Sequence, residues 1–589
     1  MSLLAAPPSA SSPRDLVATL MRHAGTHGDR LALRFLRRGE HVEEEVTYAE
    51  LDRSVRIVAA NLRAAGLARR PVLIALPQGL DFVRCFLGCL YAGAIAVPTT
   101  ALGDPRGAER LARIIEHAQP AALVAPQERR ELVPWADLCQ RAPGLRFLAA
   151  HDLLSGTPSA DLPARAPEEI AFLQYTSGAT SAPKGVAVTC GNISANLAMI
   201  EAAFGQDATN SSVSWLPLHH DMGLIGCVLE PLILGASTTL MSPLAFLQRP
   251  IRWLRAMDRF EATTAGAPNF AYDLCVRAVD AETARTLDLS RWSLAFCGSE
   301  PIRAATLTRF AGHFAAARFP ATSFYPCYGL AEATLFVTGN EAGRGVETVD
   351  LPRESGGAVA AVSCGFPRRG TSVAVLDPER DALTAPGSVG EIAVAGDAVS
   401  PGFWHPGGDV RPDPDRAATV DGKRYLRTGD LGVLRDGALF VVGRRKNMII
   451  VRGTNIYAED IEQTVMAHPA AAPFGAIAAL GVLDQPDAAD PEGVRIVCEL
   501  SRAAGLPDTE TLPTLGRAVA EAHGVLPVEL VIVPNGAIER TVSGKLRRDA
   551  TRSRLDDGAL PVLQRHEPRA GNPSSNPSVT EVAHAHSIS

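Results

Sequence analysis

The sequence predicts an α/β protein with a large N-terminal domain of several subdomains, combining βαβ sheets with a smaller β-rich part, and a small α+β C-terminal domain. Three observations lead there. Through the first half of the chain, short wholly apolar runs alternate with helical stretches, the pattern of strands buried on both faces and joined by right-handed crossovers. From about 365 to 440 the composition turns rich in Gly and Pro, with the β-like runs SVAVLD, VGEIAVAG and ALFVVG. After GRRKN (443–447) the texture changes again, to a strand, a helix, two strands, a helix and a last strand.

The elements follow in order. Residues 1–14 read as a flexible N-terminus, and MSLLAAPPSASSPRD has neither the basic start nor the long apolar stretch of a signal peptide. Thr47-Tyr48-Ala49-Glu50 forms a capping box, in which hydroxyl and carboxylate each take an orphan N–H. It opens a helix carrying Leu51, Val55, Val58 and Leu62, and Gly66 stops it. PVLIAL (71–76) reads as a buried strand, with a helix around Phe82 to Leu90 packed on it. Further strands are expected at VAV (186–188), VSWLPL (213–218), STTLM (237–241) and SLAFC (293–297). The C-terminal part offers MIIV, a helix from near Ala458, the strands GAIAALGVL and RIVCEL, a helix from about Thr511, and ELVIVP. From about Arg565 the chain is polar, Pro/Ser-rich and aperiodic, so 565–589 is expected to be a disordered tail.

Composition excludes several classes. With 46% hydrophobic residues the chain can bury a large core, which removes collagen, coiled coil and global disorder. No apolar run reaches the ~18–20 residues of a membrane helix, so no transmembrane segment is expected. A net charge of −7 without long basic runs argues against nucleic acid as partner, and a soluble cytoplasmic protein is expected. Ten cysteines are ordinary usage, and Cys85, Cys89, Cys297 and Cys498 stand in apolar runs as buried reduced thiols. The adjacent His219 and His220 cannot both face one metal from a regular element, and no H-E-x-x-H occurs. A protein-ligated zinc is not expected.

The stretch richest in chemistry is YTSGATSAPKG (175–185), between FLQ and the strand VAV. Hydroxyls, glycines and one lysine in a turn can present N–H groups, O–H groups and a cation to a polyphosphate. It is not a Walker loop, because Lys184 precedes Gly185 and no G-K-[ST] is formed. Taken alone, it also reads as an ordinary polar hairpin turn.

This loop is one of six motifs standing in the order found in the adenylate-forming superfamily of acyl-CoA synthetases, peptide-synthetase adenylation domains and luciferases. The others are GSEP (298–301), YGLAEAT (328–334), YLRTGDLG (425–432), GRRKNMIIVRG (443–453) and RTVSGKLRR (540–548). The chain resembles that superfamily over about residues 15–560. Within it, AGAIAVP (92–98), LPLHHDMGLIG (216–226), VSCGFP (362–367) and IIVRGTNIYAEDIE (449–462) make it most similar to the fatty acyl-AMP ligases, which pass acyl groups to acyl carrier proteins.

The resemblance implies a reaction and a set of roles. A carboxylate attacks the α-phosphorus of ATP; both reactants are anions, so the site needs cations and preorganised donors. Thr176, Ser177, Gly178, Thr180 and Lys184 would hold the β/γ-phosphates, and Glu332 would bind a bridging Mg²⁺. Gly298, Ser299 and Glu300 would line the adenine, with Tyr328, next to Gly329, stacked on it. Asp430 would accept from both ribose hydroxyls, with Arg444 on the same side. Lys545 would be the catalytic cation, touching the substrate carboxylate and α-phosphate. His219 or His220, followed by Asp221, would stand at the mouth of the acyl pocket, with His220 a candidate catalytic residue. Gly223 and Gly226 either leave room for the acyl chain or pack tightly against backbone.

Lys446 would be the hinge of a mobile small domain that rotates between two half-reactions. This gives a large domain over 15–442, a hinge at 443–447 and a small domain over 448–560. The implied reaction consumes ATP with Mg²⁺ and a fatty or related carboxylic acid, releases pyrophosphate, and loads the acyl group on phosphopantetheine. The acceptor would be a separate holo-acyl carrier protein or a carrier domain of a polyketide or peptide synthase. An acyl-CoA ligase is the second reading, because the stretch from Leu335 to Val362, where acyl-AMP ligases carry an extra segment thought to disfavour CoA, is short. A non-catalytic acyl- or nucleotide-binding protein is the third, opposed by Lys184, Glu332, Asp430 and Lys545 all being present.

Overall fold

A computed structural model of the chain describes residues 4–5, 14–101, 105–132, 134–176, 183–352, 358–368, 370–451, 454–482, 493–502, 504–540 and 545–568. The fold is α/β, as the sequence predicts, and divides into two compact units. The first comprises Met1–Thr348, Val362–Thr428 and Gly432–Val441; the second comprises Val349–Ala361, Gly429–Leu431 and Val442–Ser589.

Two mixed sheets organise the first unit. One has nine strands in the order Phe366–Pro367, Phe336–Gly339, Phe324–Gly329, Leu294–Cys297, Thr264–Ala267, Ser211–Ser214, Ser237–Met241, Leu31–Arg37 and His41–Thr47. Its pairings from Phe324–Gly329 through Leu31–Arg37 are parallel, and the outer ones are antiparallel. The other has eight strands, Val410–Arg411, Phe403–Trp404, Lys184–Thr189, Ile170–Thr176, Ile95–Pro98, Pro71–Ile74, Ala122–Ala125 and Arg146–Ala149. A further sheet, built around Thr371–Leu376, Gly390–Gly396 and Lys423–Arg435, is the β-rich part.

Helices contribute much of the buried core of the first unit. Tyr48–Ala64 starts at a complete capping box: the Glu50 N–H donates to Thr47 Oγ1 at 3.3 Å, and the Thr47 N–H donates to Glu50 Oε2 at 2.9 Å. Leu51, Val55, Val58 and Leu62 are all buried, each burial worth about 1.5–3 kcal/mol. The helix Leu80–Ala92 lies against this face, and a Cβ at Gly88 would fall 2.3 Å from Val58 Cγ1. Only glycine permits that approach. Cys85 and Cys89 are buried here, and burial pushes the Cys89 thiol up to about 12, leaving it unreactive.

Two local differences from the sequence reading have simple causes. The strand expected over 213–218 ends at Ser214. Pro217 has no N–H for a ladder, and the Leu216 N–H turns to Ser214 Oγ at 3.1 Å, so the buried chain bends toward the helix Asp221–Leu224. Leu4–Ala5, inside the expected flexible N-terminus, pairs antiparallel with Ser372 and Val373.

The second unit carries a four-stranded sheet, Phe474–Gly481, Val494–Leu500, Glu529–Val533 and Gln564–His566. Apolar clusters cover both faces. Ile461, Val465, Leu512, Leu515 and Val519, from the helices Ala458–Ala467 and Thr511–His523, lie on one; Leu555 and Leu560 lie on the other. Gln564–His566 extends the sheet past residue 560 and takes the first two residues assigned to the tail; residues 569–589 lie outside the described residues. Among the described residues, no helix is long and apolar enough to cross a membrane.

Candidate active site

Parallel strands deliver several predicted residues to one edge of the nine-stranded sheet. Cys297 pairs with Pro326, so Gly298–Glu300 and Tyr328–Gly329 leave neighbouring strands at their C-terminal ends, where α/β sheets open crevices for ligands. A Cβ at Gly298 would lie 3.1 Å from the Cys327 carbonyl oxygen, and Ser299 holds φ +72°. Glu300 Oε1 accepts from the Phe270 N–H at 2.6 Å, at the start of the helix Asn269–Ala278. Tyr328 is buried.

Glu332 sits on the single turn Ala331–Ala333 that follows. The turn is held from all sides. A Cβ at Gly329 would fall 1.9 Å from the Leu335 carbonyl oxygen. Thr334 takes φ +67°, a strained value for a β-branched residue, and its hydroxyl donates to the Ala398 carbonyl at 2.7 Å. The buried Asn196 amide donates to the carbonyls of Ala333 and Phe336. The Glu332 carbonyl itself accepts from the Ser400 N–H at 2.9 Å. The strain is therefore carried by the surrounding lattice, and the carboxylate is presented in one place.

The predicted phosphate loop closes a hairpin: Thr176 pairs with Lys184 across antiparallel strands. Ser177, Gly178 and Thr180 lie outside the described residues. Gly185 accommodates the Tyr175 ring, 2.9 Å from where a Cβ would stand. Phe403–Trp404 pairs with the Lys184 strand, which brings Lys184 Nζ to 5.3 Å from the Phe403 ring centroid. Lys184 also donates to Asp413 Oδ2 at 3.3 Å.

Arg416 stands over the same ring at 6.0 Å and pairs with the Glu332 carboxylate. Its remaining donors are anchored in backbone: Nε to the Arg427 carbonyl at 3.0 Å and Nη2 to the Thr428 carbonyl at 3.2 Å. A cavity of about 270 Å³ is lined by Glu332, Ser400, Phe403, Asp413, Arg416 and Arg424, among others. Sequence reasoning did not single out Phe403, Asp413 or Arg416. They lie in a stretch with no motif, and only the strand pairing of Phe403–Trp404 brings it to Lys184. Glu332 and Asp413 offer the hard oxygens that suit Mg²⁺, which takes one or two carboxylates beside phosphate oxygens.

The two adjacent histidines diverge. His219 is half-buried, with Nε2 buried and unpartnered among the described residues, and desolvation holds its imidazole well below the usual value, hence neutral. Its carbonyl accepts from Gln174 Nε2 at 2.8 Å. His220 is partly exposed, with Nδ1 3.6 Å from Asp221 Oδ1. Of the two glycines, Gly223 is packed on backbone: a Cβ would fall 2.4 Å from the Pro217 carbonyl oxygen. At Gly226 a Cβ would meet only Leu335 Cδ2, at 3.4 Å, and Phe296 Cζ, at 3.9 Å.

In the second unit Arg444 Nε donates to Asp430 Oδ1 at 2.6 Å. Lys446 follows on the turn Arg445–Asn447; burial, then the Arg444 charge, lowers its pKa. Asn447 donates to Glu459 Oε1 at 2.7 Å. Arg548 binds Glu462 with two 2.7 Å hydrogen bonds and Glu459 at 3.0 Å. Lys545 stands just before the bridge between Leu546 and Arg540, three residues ahead of Arg548.

The fold is the one shared by adenylate-forming enzymes. A solved structure from studies of fatty acyl-adenylate ligases of E. coli and L. pneumophila aligns at TM-score 0.82 and 28% identity, covering 92% of this chain and 98% of that one. A family model described as AMP-binding enzyme matches residues 20–404, and the chain belongs to that family. It is 33% identical to the medium-chain-fatty-acid–acyl-carrier-protein ligase JamA of Moorena producens (strain JHB), over 92% of this chain and 95% of the relative. The fatty acyl-adenylate ligase of L. pneumophila, solved with acyl adenylate and pyrophosphate, is 34% identical at TM-score 0.69, covering 94% and 98% of the two chains.

Proposed function

We propose that this adenylate-forming ligase activates a fatty or related carboxylic acid with ATP, releasing pyrophosphate and forming acyl-AMP, and then loads a separate acyl carrier protein. The observation that carries the reading is the convergence of Lys184, Arg416, Glu332 and Asp413 around Phe403, in a chain about one-third identical to relatives named for this chemistry.

Lys184 and the N–H groups of its loop receive the β/γ-phosphates. Gly298–Glu300 and Tyr328 border the base, and Asp430 accepts from the ribose hydroxyls. Glu332 would hold a Mg²⁺ bound with the nucleotide, which would supply neutralisation of phosphate charge. Lys545 brings a cation to the carboxylate and α-phosphate, offsetting the repulsion of two anions. His219 or His220 borders the acid, and the neutral state of His219 suits it to an apolar chain better than to a second anion. Lys446 serves as the hinge about which the small domain, taken as 448–560, turns between the half-reactions. The carrier partner supplies the attacking thiol.

The test is ATP–pyrophosphate exchange over a panel of acids of increasing chain length, followed by transfer to CoA and to a holo-carrier protein. Exchange dependent on a fatty acid, with acyl transfer to the carrier and not to CoA, is expected. Transfer to CoA would instead favour the acyl-CoA ligase reading, which the short stretch between Phe336–Gly339 and Ala358–Val362 supports.

A further inference from the structure

We propose that Asp413 and Arg416 act as internal counter-ions of the triphosphate site: they hold Lys184 and Glu332 until a metal–triphosphate arrives, and then exchange partners with it. This rests on the adenylation reading of the site and gives Asp413 and Arg416 a part that none of the sequence motifs assigns.

The arrangement has two ion pairs of opposite polarity whose cations both lie near one aromatic ring, that of Phe403. Lys184 Nζ lies 3.3 Å from Asp413 Oδ2, and the Arg416 guanidinium is paired with Glu332. Asp413, Arg416 and Glu332 are each largely buried, whereas Lys184 is half-exposed. Unpaired, these charges would pay a desolvation cost that pairing removes. The four formal charges sum to zero.

A metal–triphosphate has the complementary pattern. Its phosphate oxygens suit the two cations and its metal suits the two carboxylates, so the exchange leaves no charge without a partner. Arg416 cannot follow Glu332, because two of its donors are fixed on the Arg427 and Thr428 carbonyls. Its free edge therefore stays at the cavity and becomes available to phosphate once the metal takes the carboxylate.

A metal-free triphosphate lacks half of this exchange. It can draw Lys184 from Asp413, but it then leaves the Asp413 carboxylate without a cation while Glu332 still holds Arg416. The device thus makes nucleotide binding itself, before any chemistry, dependent on the metal. Removing the Asp413 charge should relieve that dependence, and removing the Arg416 charge should weaken binding under both conditions.

The test is ATP affinity by titration calorimetry on the full chain, without acid substrate, in EDTA and in saturating Mg²⁺. Asp413→Asn keeps the side-chain oxygen that accepts from the Asp415 N–H, so the local turn is preserved. It is expected to tighten metal-free ATP about tenfold and to narrow the ratio of the two affinities. Arg416→Gln is expected to weaken ATP about tenfold in both conditions, with Arg416→Lys recovering part of the loss. A thermal melt of each variant without ligand separates these effects from unfolding. If Asp413→Asn weakens Mg·ATP and leaves metal-free binding unchanged, Asp413 is a plain metal ligand and the exchange is wrong. If wild type binds ATP in neither condition, the adenylation reading fails together with it. Wild-type binding with an unaltered ratio in Asp413→Asn overturns the exchange alone.

Discussion

Arg444 donates from Nε to Asp430 Oδ1 at 2.6 Å, and the pair joins a nearly buried carboxylate to a half-exposed guanidinium. A carboxylate held in this way has a fixed plane, which is what two adjacent ribose hydroxyls require. Asp430→Asn keeps the shape and removes the charge. A hydrogen bond to a charged group is worth about 1.5–3 kcal/mol, so the KM for ATP should rise by roughly ten- to a hundredfold in pyrophosphate exchange. Arg444→Ala should give a smaller rise, and a thermal melt of each variant separates these effects from any loss of stability.

The glycines of the HHDMG segment separate packing from substrate space. A Cβ at Gly223 would collide with the Pro217 carbonyl oxygen, whereas one at Gly226 makes ordinary contact. Gly223→Ala should therefore cost about 1–3 kcal/mol in a urea melt. Gly226→Ala should leave stability unchanged or slightly improved, since alanine restricts the unfolded chain more than glycine. If Gly226 borders the acyl chain, the same variant shifts the preferred acid to shorter lengths, read from an exchange panel; an unaltered length profile removes Gly226 from the acyl pocket.

The difference between these residues and Arg416 shows what a sequence makes legible. The buried strands announced themselves as apolar runs such as PVLIAL, and the capping box at Thr47 as four consecutive residues, because their physics is local. The motif loops were equally visible as clusters of hydroxyls, glycines and charges. The Lys184–Asp413 and Glu332–Arg416 pairs span 229 and 84 residues, and no local pattern marks either distant partner. Gln564–His566 escaped for another reason: a three-residue edge strand of polar residues carries no alternation to read. The strained φ of Thr334 is visible only once the chain around it is folded.

Glu230 supplies a pH test. It is fully buried at the end of the π-helical turn Ile225–Leu229, its Oε1 has no partner among the described residues, and burial, with some help from the Glu201 charge, pushes its pKa up to about 8. Below the ordinary value of 4.5 the group is protonated in both states and contributes nothing. Between that value and about 8 the unfolded chain releases a proton that the folded one retains, so stability falls as pH rises and then levels off. Glu230→Gln removes this penalty, on the order of a few kcal/mol at most. Its melting temperature should exceed that of wild type at pH about 8 and converge with it toward pH about 5. A gap independent of pH would mean that Glu230 ionises normally.

Lys545 and Arg548 stand three residues apart, and the proposed chemical role of the first can be separated from the structural role of the second. Arg540 and Leu546 form a bridge, and the helix after Lys545 is held by Arg548 through Glu462 and Glu459. Glu459 also accepts from Asn447, beside Lys446, so a single buried network braces both the lysine and the turn at 445–447. Arg548→Met leaves Glu462 buried without its cation, and breaking such a pair costs about 3–5 kcal/mol; the melt of the whole chain should show it. Lys545→Ala keeps the Arg548 contacts intact. It should lose adenylation by roughly two to three orders of magnitude, the scale on which a single preorganised charge stabiliser acts, with a thermal melt to separate that loss from any change in stability. Transfer from supplied acyl-AMP should suffer far less, because that step no longer brings two anions together. Pyrophosphate release at the wild-type rate by Lys545→Ala would take the lysine out of the reaction and leave the network around Arg548 as scaffold only.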